Sequence, residues 1–212
     1  MSTRSAKRRT SALFLRNGIR TVGKYDFPII KQQSLPKGQI DLVGYKQAKS
    51  ESKKVDLTKC GIHFFQEDDI FAFLEKDPYK QVDRLKQYAF VLSPDFSIYP
   101  EMPIWRQMQS IAMSRYVGAC WQKAGLTVIP TIAWGTDERC FEFCFDGIPQ
   151  HATVAVSTIG CKAYKREFLY GYAKMRMALH PKTIVCYGTP FREMEYDHII
   201  SIPYKLFRKG GK

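Results

Sequence analysis

The run VLSPDFSIYPEMP, Val91–Pro103, carries an apolar, strand-like stretch into Ser93, Pro94, Asp95, Ser97 and Tyr99, and a helical pattern starts immediately afterwards. A carboxylate, a hydroxyl and a phenol spaced two residues apart at the mouth of a strand are groups that can bind or act on a ligand. Other strand-like runs end on similar cargo: Gln66, Glu67 and Asp68 after IHFF, Trp134 and Asp137 after IPTIA, Ser157 and Thr158 after VAV, and Tyr187 after IVC. Ligands of parallel α/β folds sit at the carboxyl ends of the strands. Asp95, with Asp137 or Glu67, is therefore a candidate acid/base pair or a carboxylate set for Mg²⁺. Trp134 and Tyr187 offer flat faces for stacking. Ser97 and Tyr99 extend that candidate ligand site, and Ser157, Thr158 and Gly160 offer hydroxyl and amide donors to an anion.

Each residue also has a plainer role open to it. Asp95 can close an Asx turn, and Trp134 can sit at the rim of the core. STIG lacks both the Walker lysine pattern and the dinucleotide fingerprint. His63, His151, His180 and His198 are scattered, which disfavours a histidine-built metal site. No G-x-S-x-G or H-E-x-x-H pattern occurs.

The elements that must position these groups follow a rhythm. CGIHFF, AFVLS, LTVIPTIAW, ATVAVST, TIVCYG and HIISIPYKLF read as six strands between about 60 and 205. Helical patterns separate them: QEDDIFAFLEKD with YKQVDRLKQY, then MPIWRQMQSIAMSRYVGACWQKAG, TDERCFEFCFDG and KREFLYGYAKMRMALHP. In the long one, Ile104, Trp105, Met108, Ile111, Ala112, Val117, Ala119 and Cys120 form an apolar stripe, with Gly125 as stop. TDERCFEFCFDG is expected to take Thr136 or Asp137 as its cap and to end at Gly147. Repeated strand–helix units with short links imply right-handed crossovers and a parallel sheet. The expectation is an α/β fold, partly barrel-like, with an open doubly wound sheet as the alternative. The organisation expected is a basic arm with short extended segments over 1–59, a parallel α/β domain over 60–205 and a basic tail over 206–212.

Composition sets the outer bounds. At 212 residues, 45% hydrophobic and 14% aromatic, the chain can bury a sizeable core. No apolar run reaches the roughly 18 residues of a membrane span, and ALFL is too short for a signal-peptide core. A cytoplasmic protein without membrane contact is expected. The six cysteines lie in apolar surroundings and are expected to be buried thiols. Cys140 and Cys144, at i and i+4, are the one pair that a helix face would present together to a metal.

The formal charge of +13 is concentrated at the front: residues 1–59 hold 14 Lys/Arg against 4 Asp/Glu, residues 60–212 hold 19 against 16. Arg4, Lys7, Arg8, Arg9, Arg16, Arg20 and Lys24 make that front a candidate phosphate-contacting arm, with a short helix expected around Ser11–Arg16. A solvated tail is the alternative.

The ordered motifs SPDFSIYPEMPIWRQ, YVGACWQKAGLTVIPTIAWG, FCFDGIP, VAVSTIGC, FLYGYAKM and HPKTIVCYG resemble a domain-of-unknown-function family of bacteria, phages and other mobile elements, over roughly residues 60–190. The resemblance implies a mobile-element context and an intracellular location, and supplies no reaction. Three functions are left to weigh: a phage or plasmid accessory protein associated with DNA or RNA, an enzyme acting on a phosphorylated or nucleotide-like small molecule through Asp95, and a non-catalytic module that binds a host protein.

Overall fold

The computed structural model describes residues 18–195 and 197–204. The expected helix at Ser11–Arg16, the cations Arg4, Lys7, Arg8, Arg9 and Arg16, and the tail 206–212 lie outside the described residues.

All six expected strands are present: β4 (Cys60–His63), β5 (Phe90–Leu92), β6 (Val128–Ile129), β7 (Thr153–Ser157), β8 (Thr183–Tyr187) and β9 (Ile199–Ile202). Ahead of them, β1 (Thr21–Val22) and β2 (Phe27–Pro28) form a short antiparallel ribbon. β3 (Asp41–Gly44), drawn from the sequence as an extended segment ahead of the domain, pairs in parallel with β4, so the sheet starts at Asp41 rather than at Cys60.

The parallel strands run β3-β4-β5-β6 and β7-β8-β9. A single bridge between Thr131 and Ala155 joins the two sets, closed by Ala155 N–H to Pro130 O and Ile132 N–H to Ala155 O, each 2.8 Å. β6 is cut to two residues because Pro130 has no N–H to continue the ladder. Strand order thus follows sequence order without the reversal that a doubly wound sheet requires.

The sheet is curled. The His63 ring on β4 lies 4.1 Å from the Tyr187 ring on β8, whereas four strand spacings of a flat sheet would separate them by roughly 19 Å. Alternation along each strand sorts side chains accordingly. Leu42, Phe90, Leu92, Ile129, Ala155, Val185, Tyr187 and Ile202 point inward and pack as one cluster. Val43, Ile62, Val91, Val128, Val154, Ile184 and Cys186 point outward to the helices. No ladder closes β9 onto β3 among the described residues, so the barrel is partial.

Four α-helices are present among the described residues: α1 (Ala48–Glu51), α2 (Val82–Leu85), α3 (Ile104–Lys123) and α4 (Lys165–Leu179). None is long and apolar enough to cross a membrane. α3 is buried on nearly every side from Ser110 to Trp121, held between the sheet and a layer made by Phe27, Cys140, Phe143 and Cys144. The expected apolar stripe therefore fails at its start: Trp105 is 63% exposed. The segments around 68–75 and 138–142 are 3₁₀ turns rather than α-helices, too short for a propagating α-helix to outweigh its nucleation.

Candidate functional site

A crevice of about 450 Å³ opens at the carboxyl ends of the strands. It brings together six sequence-derived candidates, Glu67, Asp95, Ser97, Tyr99, Trp134 and Ser157, with Gln66 and Cys161 beside them.

Asp95 follows β5, where the chain leaves the sheet at Ser93-Pro94. The turn is anchored on both sides. Ser93 Oγ accepts from Thr131 N–H at 2.9 Å, and Thr131 Oγ1 donates to Ser93 O at 2.6 Å. Downstream, Asp68 accepts from the Ser97 N–H and hydroxyl at 2.9–3.1 Å, and Ser110 Oγ donates to Ser97 O. Ser97 is thus held by Asp68, while Asp95, half-buried on the crevice wall, accepts no hydrogen bond and joins no ion pair among the described residues. Loss of water around the carboxyl, and then the nearby Asp68 charge, raise its pKa from 3.8 to about 7. A carboxyl so placed exchanges its proton near neutrality.

The walls are aromatic. Tyr99 is 60% exposed at the rim. Trp134 packs 5.3 Å from the Phe168 ring and lies over Gly171 of α4, where a Cβ would fall 2.1 Å from Trp134 Nε1. The glycine lets the indole pack close against the helix, and the same indole lines the crevice. Ser157 borders the space with its hydroxyl directed to Tyr187 O at 3.3 Å, and it accepts from Ile159 N–H.

Three candidates lie elsewhere. Asp137 is the cap of the 138–142 turn, accepting from Arg139 N–H and pairing with its guanidinium. Those contacts hold its carboxyl down to about 2, and it does not line the crevice. Thr158 is buried and donates to Thr189 O at 2.9 Å. Tyr187 points into the barrel against His63 and Phe65, because it shares the inward parity of Val185 on β8. Arg20 and Lys24 are exposed beside the β1–β2 ribbon. Asp95 and Glu67 are the two carboxylates on the crevice, and no group of three metal-ligating side chains gathers among the described residues.

Cys161 is the residue the sequence reading missed. It was expected to be a buried thiol like the others, yet it is half-buried and lines the crevice. Burial and the Asp95 charge both raise its pKa. Its position directly after the left-handed Gly160, at the tip of β7, was the available signal. Cys140 and Cys144 are both fully buried, as expected, in the layer outside α3.

Beside the crevice, Arg115 is the largest buried charge among the described residues. Its guanidinium donates to Thr131 O, Cys144 O and Asp146 O at 2.9–3.2 Å. Burial lowers its pKa to about 10, so it remains charged at neutral pH, tying the β6 exit to the loop that ends at Gly147.

Comparison with known proteins places this architecture in context. The model of a domain of unknown function, DUF4417, matches residues 19–205. The Gene 1 protein of Mycobacterium phage L5 is 39% identical over 130 residues, covering 60% of this chain and 56% of that protein. The Gene 1 protein of Mycobacterium phage D29 is 35% identical over 130 residues, covering 60% and 48%. The matches thus span about half the length of these relatives. No solved structure matches the chain. With its family model running from the ribbon through β9, the chain belongs to the DUF4417 family.

Proposed function

We propose that the chain is a phage accessory protein associated with nucleic acid, which takes one nucleotide unit into the strand-tip crevice while cations of the basic front hold phosphates. The observation that carries the reading is Asp95: a desolvated carboxyl without a partner among the described residues, facing a cavity of about 450 Å³, within the range of small-ligand sites. In its neutral form the group offers one donor and one acceptor, the pattern on the edge of a nucleobase. Tyr99 and Trp134 supply faces on which a base stacks. The acidic interior leaves phosphates outside, where the +10 charge of residues 1–59 suits them.

The test is binding of labelled single- and double-stranded oligonucleotides to the full chain across a salt series. Wild type should bind with a steep salt dependence. Asp95→Ala, Tyr99→Ala and Trp134→Ala should weaken binding at every salt concentration without changing the slope. Absence of salt-sensitive binding to any oligonucleotide would sink the reading.

One observation favours a second reading. A carboxyl that titrates near 7 is suited to general acid/base work, which would make the crevice the site of an enzyme acting on a nucleotide-like or phosphorylated small molecule. Asp95→Asn would then abolish turnover on an identified substrate while the fold persists, and a variant with full turnover would exclude it.

A further inference from the structure

A second concavity, of about 490 Å³, lies at the far end of α3 from the crevice. α3 runs 20 residues, about 30 Å, from the strand tips back to the amino ends of the strands. The groove is lined there by Arg20, Lys31, Lys123 and Gln122, with Ile19 and Ile29 as apolar walls and no carboxylate among its lining residues. All three cations are exposed, and none forms an ion pair among the described residues.

The floor beneath them is fixed. Gln122 accepts from Lys31 N–H at 2.8 Å and donates to Lys31 O and Gln33 Oε1 at 2.7 and 2.6 Å. Gln33 Oε1 also accepts from Val128 N–H, at the start of β6. Two segments about 90 residues apart in sequence are thus clamped together, and the lysines project from that clamp. Gly18 leaves room for one of them: a Cβ there would fall 2.7 Å from Lys123 Nζ. Residues 1–17 hold five Lys/Arg and no Asp/Glu, and like charge disfavours them as the occupant of a cationic groove.

We infer that this groove is a track for the phosphodiester backbone of a nucleic acid, with Arg20, Lys31 and Lys123 contacting successive phosphates. The inference rests on the nucleic-acid reading above and adds to it a site on the body of the protein, distinct from the strand-tip crevice. Three exposed cations on a rigid floor, without ion pairs among the described residues and with polar amides and no acid in the lining, suit a polyanion and carry nothing that reads base sequence. Binding along the track should be independent of sequence and should release counterions.

The test compares the full wild-type chain, Lys31→Ala/Lys123→Ala, and the charge reversal Lys31→Glu/Lys123→Glu, in oligonucleotide anisotropy over a salt series. Both positions are exposed, and unchanged circular dichroism and melting would verify the fold. The slope of log K against log salt should fall by about 1 for each lysine replaced by alanine, equally for unrelated sequences, and the reversal should abolish binding. Wild-type binding with an unchanged slope and affinity in both variants would overturn the track and leave the crevice reading standing. No salt-sensitive binding by wild type would overturn both. Inorganic phosphate is the control for a free anion: if millimolar phosphate saturates the groove and oligonucleotides do not compete, the track is overturned.

Discussion

Asp95 and Arg115 both line one small gap of about 10 Å³ next to the β5 and β6 exits, and the protein treats them in opposite ways. Arg115 gives its protons to three backbone carbonyls and ties two loops together. Asp95 receives no hydrogen bond from the described residues and opens onto a cavity. Withdrawing a charge from water is costly unless partners replace it. A fully partnered charge is therefore architecture. A charge left without partners is held there by the surrounding structure at a cost, which is the signature expected of a group kept for a ligand.

That contrast can be broken most severely at Arg115. Arg115→Met should cost about 3–5 kcal/mol, since Thr131, Cys144 and Asp146 all lose a buried donor. Thermal unfolding would measure it, and a melting curve like that of wild type would remove the architectural role. Thr131→Val, which takes the hydroxyl donor from Ser93 O, should cost about 1–3 kcal/mol, read by denaturant titration.

Asp95→Asn should have the opposite sign. As pH rises from about 4 to about 7 the unfolded chain releases this proton while the folded chain retains it, so stability is lost across that window and is level above it. The full linkage would be about 4 kcal/mol, and we expect roughly half because the crevice leaves the carboxyl partly in water. Asp95→Asn should then be more stable than wild type at pH 8 and equal to it near pH 4. Unfolding curves at the two pH values would check this. The smallest effect belongs to Asp137→Asn: an exposed turn cap away from the crevice should leave oligonucleotide binding unchanged, and a loss of binding would return Asp137 to the site.

Much of this was legible in the chain. The six strands announce themselves as short β-branched runs, and their sequential order follows from short right-handed crossovers. The crevice was legible as the place where strand tips converge, which gathered Glu67, Asp95, Ser97, Tyr99, Trp134 and Ser157. What escaped depends on facing rather than type. Tyr187 sits at a strand end, but the parity of β8 turns it inward, and parity is read only once the inner face of the sheet is known. Asp137 is two residues from Arg139, close enough to be satisfied locally. Leu42 and Val43 of β3 lie just before a polar loop, so composition separated them from a sheet that pairing joins. The cation groove is not visible in sequence because the clamp at Gln122 brings Lys31 to the α3 end that carries Lys123, while Arg20 joins them through the bond from Ile29 N–H to its carbonyl.

The central claim is that neutral Asp95 receives a nucleotide unit in the crevice. The most direct measurement is the affinity of the full chain and of Asp95→Asn for one short oligonucleotide between pH 5.5 and 8.5 at constant salt. Wild-type affinity should fall as pH rises through about 7, as ionised Asp95 loses its donor and repels phosphate, while binding by Asp95→Asn, whose amide keeps a donor and an acceptor at every pH, should stay flat across that range. The same pH profile in both proteins would contradict the account.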